Sequence, residues 1–489
     1  MLNYIHKASN KGSVMDHSKF KFNRVFSMPM YKNMKIKLGE MSFSKDFISD
    51  TRGDLYPVRK KSADCAERIE HGKYILEGGE VSRMICRHFP FASYEVTFSG
   101  ECGEAGFLFD LCGIAVASVT VCGGDILYSC GETKAKYAIP SALVQSENTL
   151  IISCRPGAFD IYLKINKKPE FVQTIHEDAF KVSNMRSVFS DSYTFLKVSG
   201  NVTVLSAVSY IDNGISIADI RPIKYENGDV ICERGRICFT ASVRLQEGAF
   251  CGIFSWLCGT AEFELTGAVF YDCGDGVWHN YLAPVIIYNR DKKNWTVWVS
   301  SFEHKHILAC GIFDGDPRFG INVIDVHLME EAKNDSDISE FLGFRGDEDP
   351  DLYYDADTGR WLLAICRLDP ATRSYVYVFF ESYEPTRNFK YIGRGHDGAE
   401  TGGSFVKING ELCFVCGNDF NKTSEYRIYR NGGVELAEFN YPDGGFRGWG
   451  SVFPVSAGSR VRYYWLTFDR HNGSRYNWSY GNLYCFEMI

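Results

Sequence analysis

The chain has 489 residues, about three times the ~150-residue modal domain, so it divides into two or three units and is not one small module. Apolar residues make up 45% and charged residues 23%, which excludes a largely disordered or fibrous chain. The balance of 53 Lys+Arg against 61 Asp+Glu gives a net charge of −8, which argues against a nucleic-acid or anionic-membrane surface and points to neutral partners.

The aromatic content is skewed: Tyr 28, Phe 36 and Trp 8, with Gly 46 and only Pro 14, predict an all-β protein of short strands and tight turns. Apolar stretches such as Ile114 to Val121 fall short of the ~20 residues that span a bilayer. The segment Met1 to Lys37 is dotted with Lys and Arg and lacks an apolar h-region, so a cytoplasmic location is expected. The 17 cysteines are odd in number and sit mostly in strand-like runs, the pattern of buried free thiols. The one C-x-x-C, Cys413 to Cys416, lies in a strand pattern that turns its two thiols to opposite faces.

Residues 1–45 are polar and basic and are expected to form a loosely attached extension. Over 46–185, and most clearly from Tyr74 to Phe180, alternating runs such as Ser93–Phe98, Gly106–Leu111, Leu150–Cys154 and Phe159–Asn166 predict a β-sandwich. The run Ala158 to Ile175, with its turn Asn166-Lys-Lys-Pro, resembles the closing strands of laminin-G-like or concanavalin-like sandwiches. That resemblance implies a sugar-binding module or a docking module.

Within 190–489 a repeat decides the fold. The run Pro284-Val-Ile-Ile-Tyr-Asn-Arg-Asp-Lys-Lys-Asn-Trp aligns with Pro350-Asp-Leu-Tyr-Tyr-Asp-Ala-Asp-Thr-Gly-Arg-Trp, which sets Trp295 over Trp361. Shorter versions start at Gly403 and Gly450, and another is read at Asp229 to Ala241. Each unit holds four strands in ~50–65 residues, a propeller blade, and five blades fill the segment.

In a propeller the inner strands line the channel, so the residues just before them converge on its mouth. That alignment puts Tyr281, Asp347, Glu400 and Arg447 at one level and Ala283, Asp349, Gly402 and Trp449 at another. Converging carboxyls with an arginine suit acid/base chemistry, in which one acid stays protonated while another ionises. Asp355 and Asp357 read as turn formers, and Asp351 as either functional or a bond between blades.

The run Gly346-Asp-Glu-Asp-Pro-Asp-Leu-Tyr-Tyr-Asp-Ala-Asp-Thr-Gly-Arg-Trp resembles the Asp-Pro strand motif of five-bladed propeller glycoside hydrolases, families 43 and 32. The run Ala399-Glu-Thr-Gly-Gly-Ser-Phe-Val-Lys-Ile-Asn-Gly is similar to the family 43 segment that carries the general acid. The resemblance implies Glu400 as acid and Asp349 as the tuning carboxylate. No His/Cys cluster with ligand spacing is read near the strand starts, so no metal or organic cofactor is expected. Two departures stand against the resemblance: Ala283 occupies the place of the usual base, and Glu-Thr-Gly-Gly replaces Glu-Gly-Pro.

The base is therefore sought at Asp219 first, with Asp347 and Asp212 as alternatives. Arg345 and Arg447 are candidates to hold sugar hydroxyls or a carboxylate, or to neutralise the acids. Trp449, Trp278 and His279 are candidates to stack on a sugar ring. The expected function is hydrolysis of a glycoside or oligosaccharide. The alternatives are a catalytically inactive carbohydrate-binding propeller and a glycoside phosphorylase.

Overall fold

A computed structural model describes residues 16–489 except 45–46, 48–55, 101–102, 144, 303–305, 330–345, 370–372, 396–399, 419–425, 431–432, 440–449, 458–459 and 469–481. The chain forms two units: one takes Lys35–Asp212 with Gly276–Trp278, and the other takes the chain up to Met34, Asn213–Asp275 and His279–Ile489. No helix among the described residues is long and apolar enough to cross a membrane.

The first unit is built from two sheets. One runs, edge to edge, through Thr133–Ala138, Asp125–Cys130, Ala115–Cys122, Glu104–Leu111, Ser192–Ser199, Glu80–Arg87 and Val58–Lys61. The other runs through Lys168–His176, Ala158–Ile165, Glu147–Arg155, Ser93–Ser99, Val202–Asp212, Lys73–Glu77 and Ala66–Glu70, with Lys35–Glu40 also paired to Val202–Asp212. Rings interdigitate between the two sheets: Tyr94 meets Phe109 at 5.3 Å and Phe109 meets Phe159 at 5.1 Å. Such pairs contribute beyond the area they bury. Asn166 and Lys167 both take positive φ, 49° and 68°, so the edge hairpin closes with a turn whose twist matches its strands.

The second unit is a five-bladed propeller. The first blade comprises Ser216–Pro222, Arg236–Arg244, Ala249–Leu257 and Phe263–Asp272, and Gly320–Asp325 pairs on its outer edge. The second comprises Leu282–Asn289, Asn294–Ser301, Ile307–Phe313 and His327–Leu328, and the third Glu348–Asp355, Arg360–Asp369, Ser374–Ser382 and Lys390–Arg394. Glu400–Ile408, Glu411–Asn418, Tyr426–Arg430 and Gly433–Phe439 make the fourth. The fifth contains Ser451–Ala457, Arg460–Phe468 and Asn482–Met488, and its outermost strand is Asp16–Pro29.

Three expectations change here. The segment 1–45 is not a loose extension over its described part, because Asp16–Pro29 completes blade five and Lys35–Glu40 joins the sandwich. Edge strands keep one polar face, so their charged residues read as surface extension. Ser192–Ser199 and Val202–Asp212, placed in the propeller by a boundary at 190, lie inside the two sandwich sheets. The first blade opens on Ser216–Pro222, and the run from Asp229 supplies only the two-residue strand Cys232–Glu233 before the blade's second strand.

Apolar clusters fill four of the five gaps between blades. Trp295 and Trp361 hold equivalent places, the first packed between blades one and two and the second between blades two and three. Cys413 lies between blades four and five and Cys416 between three and four, as a period-2 strand requires. The sixteen described cysteines are free thiols. The ring closes where Trp256 of blade one meets Tyr464 of blade five at 5.4 Å.

Phe22 anchors the amino-terminal strand: it is buried in the cluster between blades four and five, edge-on to Trp465 at 5.4 Å. Phe22→Ala is expected to cost about 3–5 kcal/mol, read as a lower midpoint in urea unfolding. An unchanged midpoint would show that the strand does not close the propeller.

Candidate active site at the channel mouth

Each inner strand of blades one to four carries an irregularity near its start. The ladders shift between Ala218 and Arg221, Leu282 and Val285, Glu348 and Asp351, and Thr401 and Ser404. Inside each shift one residue takes left-handed backbone: Asp219 at φ 54°, Ala283 at 52°, Asp349 at 46° and Gly402 at 59°. Gly450, at φ 125°, stands just before the inner strand of blade five. A bulge of this kind re-aims a side chain, and three non-glycine residues bear the cost of about 1–2 kcal/mol each.

These bulges make Asp219, Ala283, Asp349 and Gly402 equivalent, so Asp219 is the blade-one counterpart of Asp349. The neighbouring blade helps to hold two of them. Ala283 donates its N–H to Ser242 Oγ at 3.2 Å, and Asp349 donates its N–H to Ser300 Oγ at 3.1 Å.

Asp349 is 7% exposed, and its carboxyl is raised to about 7. Burial is the main cause and the charge of Asp219 the next, with Arg221 opposing. Its Oδ2 accepts from Thr401 Oγ1 at 3.0 Å and from the Gly402 N–H at 3.1 Å. Asp219 is more open and pairs with Arg244 Nη2 at 3.4 Å. The two carboxyls therefore stand in unlike environments, the arrangement that separates an acid from a base.

Arg221 adds a donor. Its Nη1 bonds to the Gly403 carbonyl at 2.5 Å and lies 3.9 Å from Asp351, while its buried Nε has no acceptor among the described residues.

Glu400 has a different setting. It is 0% exposed, its Oε2 accepts from the Tyr377 N–H at 2.8 Å, its Oε1 accepts from the Tyr429 hydroxyl, and Arg427 lies 3.6 Å away. These contacts tie the inner strand of blade four to its own third strand and to blade three. Gly395 makes room, since a Cβ there would meet Oε2 at 2.6 Å. Thr401, one residue on, is the side chain that faces Asp349.

The remaining candidates divide. Asp347 is held by Arg367 through two bonds of 2.6 and 2.8 Å. Asp212 belongs to the sandwich, where it is buried and accepts from Ser93 Oγ at 2.7 Å. Trp278 also packs in the sandwich unit, 4.4 Å from Phe189. His279 is buried and faces Asp275. Arg345, Arg447 and Trp449 lie outside the described residues.

Asp351 ties blades together: it accepts from Lys224 Nζ at 2.9 and 3.0 Å and from the Phe405 N–H at 2.6 Å. Asp355 caps its hairpin turn through Asp357 and Thr358. Sequence reasoning missed Arg221, Arg244 and Thr401. The spacing of Arg221 two residues after Asp219 is the one signal that could have found it.

No protein-family model matches the chain, and no curated protein does. Among solved structures it is similar to an exo-β-1,3-galactanase from Clostridium thermocellum, with 10% identity, a TM-score of 0.37, 54% of this chain covered and 62% of that one. The chain thus spans less than two thirds of the galactanase. An α-L-arabinofuranosidase from Podospora anserina, in complex with cellotriose, shares 11% identity at a TM-score of 0.37 over 56% of this chain and 91% of that one. A carbohydrate-binding module from Bacillus subtilis shares 15% identity at 0.24, over 32% of this chain and 94% of that one.

The Asp349 carboxyl gives a pH test. Because its folded value of about 7 lies above the ~4 of an unfolded aspartate, the folded state holds the proton longer. This group's stabilisation is complete below pH ~4 and is lost as pH rises to about 7. Asp349→Asn is expected to flatten that part of the wild-type stability profile, measured by urea unfolding between pH 4 and 8. Parallel profiles would show that Asp349 ionises normally.

Proposed function

We propose that the propeller hydrolyses a glycosidic bond at the channel mouth, with Asp349 as proton donor and Asp219 as base or nucleophile. Asp349 would protonate the leaving oxygen while Asp219 activates water or attacks the anomeric carbon. The observation that carries this reading is the pairing of Asp349, raised to about 7 by burial and by Asp219, with Asp219 on the equivalent bulge. A donor poised near neutrality matches the needs of general-acid catalysis.

In this reading Glu400 is a positioning residue and not the acid. It holds the Tyr377 backbone, and the Tyr377 hydroxyl donates to the Asp349 carbonyl at 3.3 Å. The same burial of Glu400, together with Ala283 in place of a carboxylate, favours a second reading, a carbohydrate-binding propeller without turnover.

A panel of aryl pyranosides and furanosides, assayed with and without phosphate, separates these readings. Hydrolysis predicts phosphate-independent release of the aryl group. Asp349→Asn and Asp219→Asn should each lower kcat on the order of 10²–10⁴-fold in a protein that remains folded at the assay temperature, whereas Glu400→Gln should lower the melting temperature as well. Oligosaccharide binding with no release from any substrate would establish the binding reading, and full activity in both Asp variants would overturn the mechanism.

A further inference from the structure

The chain passes from blade one to blade two through Asp272-Cys-Gly-Asp-Gly-Val-Trp-His279. Asp272 Oδ1 accepts from the Gly274 N–H at 2.8 Å, and Gly274 and Gly276 take φ of 90° and 74°, which coils the segment tightly. His279 is pinned by its backbone, exchanging bonds of 2.7 and 3.0 Å with Tyr271. Its ring stacks on Tyr281 at 4.9 Å and 12°.

Three ligand atoms meet in this turn. His279 Nε2 lies 2.9 Å from Asp275 Oδ2 and 3.4 Å from Cys273 Sγ, and all three lie within 4.8 Å of one another. The expectation that no His/Cys cluster with ligand spacing stands near a strand start therefore meets an exception, with His279 three residues before Leu282–Asn289.

We propose that Cys273, Asp275 and His279 bind a zinc-class divalent cation, with water completing the shell. The distances favour this over a nucleophilic thiol. In a Cys–His–Asp relay the thiol and the carboxylate use opposite ring nitrogens, whereas here both face the same Nε2. Tetrahedral zinc with bonds of about 2.0–2.3 Å sets neighbouring ligand atoms about 3.3–3.5 Å apart, which Cys273 Sγ and His279 Nε2 match at 3.4 Å, while the exposed Asp275 carboxylate, now hydrogen-bonded at 2.9 Å, needs only a small side-chain movement.

The donor set of thiolate, imidazole and one carboxylate suits zinc or cobalt and not calcium or magnesium, which take oxygen. Without a cation, burial and Asp275 hold the Cys273 thiol above its ordinary range, against a bond from Tyr281. A cation would reverse that preference and bind the thiolate. Asp275 is exposed and gives access from solvent. The site would clamp the crossing between two blades, independently of glycosidase activity.

The test is titration of the chelator-treated, dialysed full chain with Co²⁺. The proposal predicts about one cobalt per chain, thiolate-to-cobalt charge-transfer absorption, and a melting temperature that rises with added Zn²⁺. Cys273→Ser should abolish the charge-transfer band. Asp275→Asn alters an exposed residue and should fold normally, yet weaken binding at least as much as the ~10–100-fold lost with an outer-shell partner. No saturable cobalt binding, a thiolate band that survives in Cys273→Ser, or equal affinity in Asp275→Asn would overturn it.

Discussion

The buried carboxylate of Asp351 joins three blades at the propeller axis. Lys224, on the short strand Lys224–Tyr225 that pairs with the inner strand of blade two, reaches it with Nζ at 2.9 Å, and the Phe405 N–H of blade four donates to it at 2.6 Å. Arg221 stands 3.9 Å away and bonds across to Gly403. Burial lowers the Lys224 ammonium's pKa and Asp351 opposes that shift, so the ion pair persists only because its partners are fixed. A buried pair of this kind contributes little net stability over an apolar replacement, but losing one partner is costly. Its structural value is to tie blades two, three and four together, with Arg221 of blade one alongside.

That tie is what makes the bulges useful. Asp349 lies two residues before Asp351 on one strand, and Asp219 two residues before Arg221 on another. With Asp351 and Arg221 fixed at the axis, the left-handed residues of their strands are presented at the same level. Ala283 adopts the same strained backbone without a polar side chain, so the bulge is a property of the blade and the chemistry depends on what occupies it. Strained positions of this kind gather at functional sites.

Much of the fold was legible because propeller blades repeat one pattern. The alignment of Trp295 with Trp361 located two blades, and the turn at Asp355 to Thr358 was readable from Asx chemistry. The strand Asp16–Pro29 was not, since only its pairing with Asn482–Met488 distinguishes it from a polar tail. Asp219 stands out in the sequence just ahead of Arg221-Pro222, but its equivalence to Asp349 depends on backbone φ values that no residue pattern specifies. The setting of Glu400 was not legible for a related reason. One extra residue in a strand moves a side chain to the other face, and the bulge at Gly402 decides that Thr401, not Glu400, meets Asp349. Cys273, Asp275 and His279 come together only through the coil of two glycines.

The claim that a buried ionic tie holds the blades together is tested most directly by urea unfolding of Asp351→Leu, Lys224→Met and the double variant. The account predicts a loss of about 3–5 kcal/mol in each single variant, because each strands a buried charge, and recovery of much of that loss in the double. Single variants as stable as the wild type, or losses that simply add in the double, would contradict it.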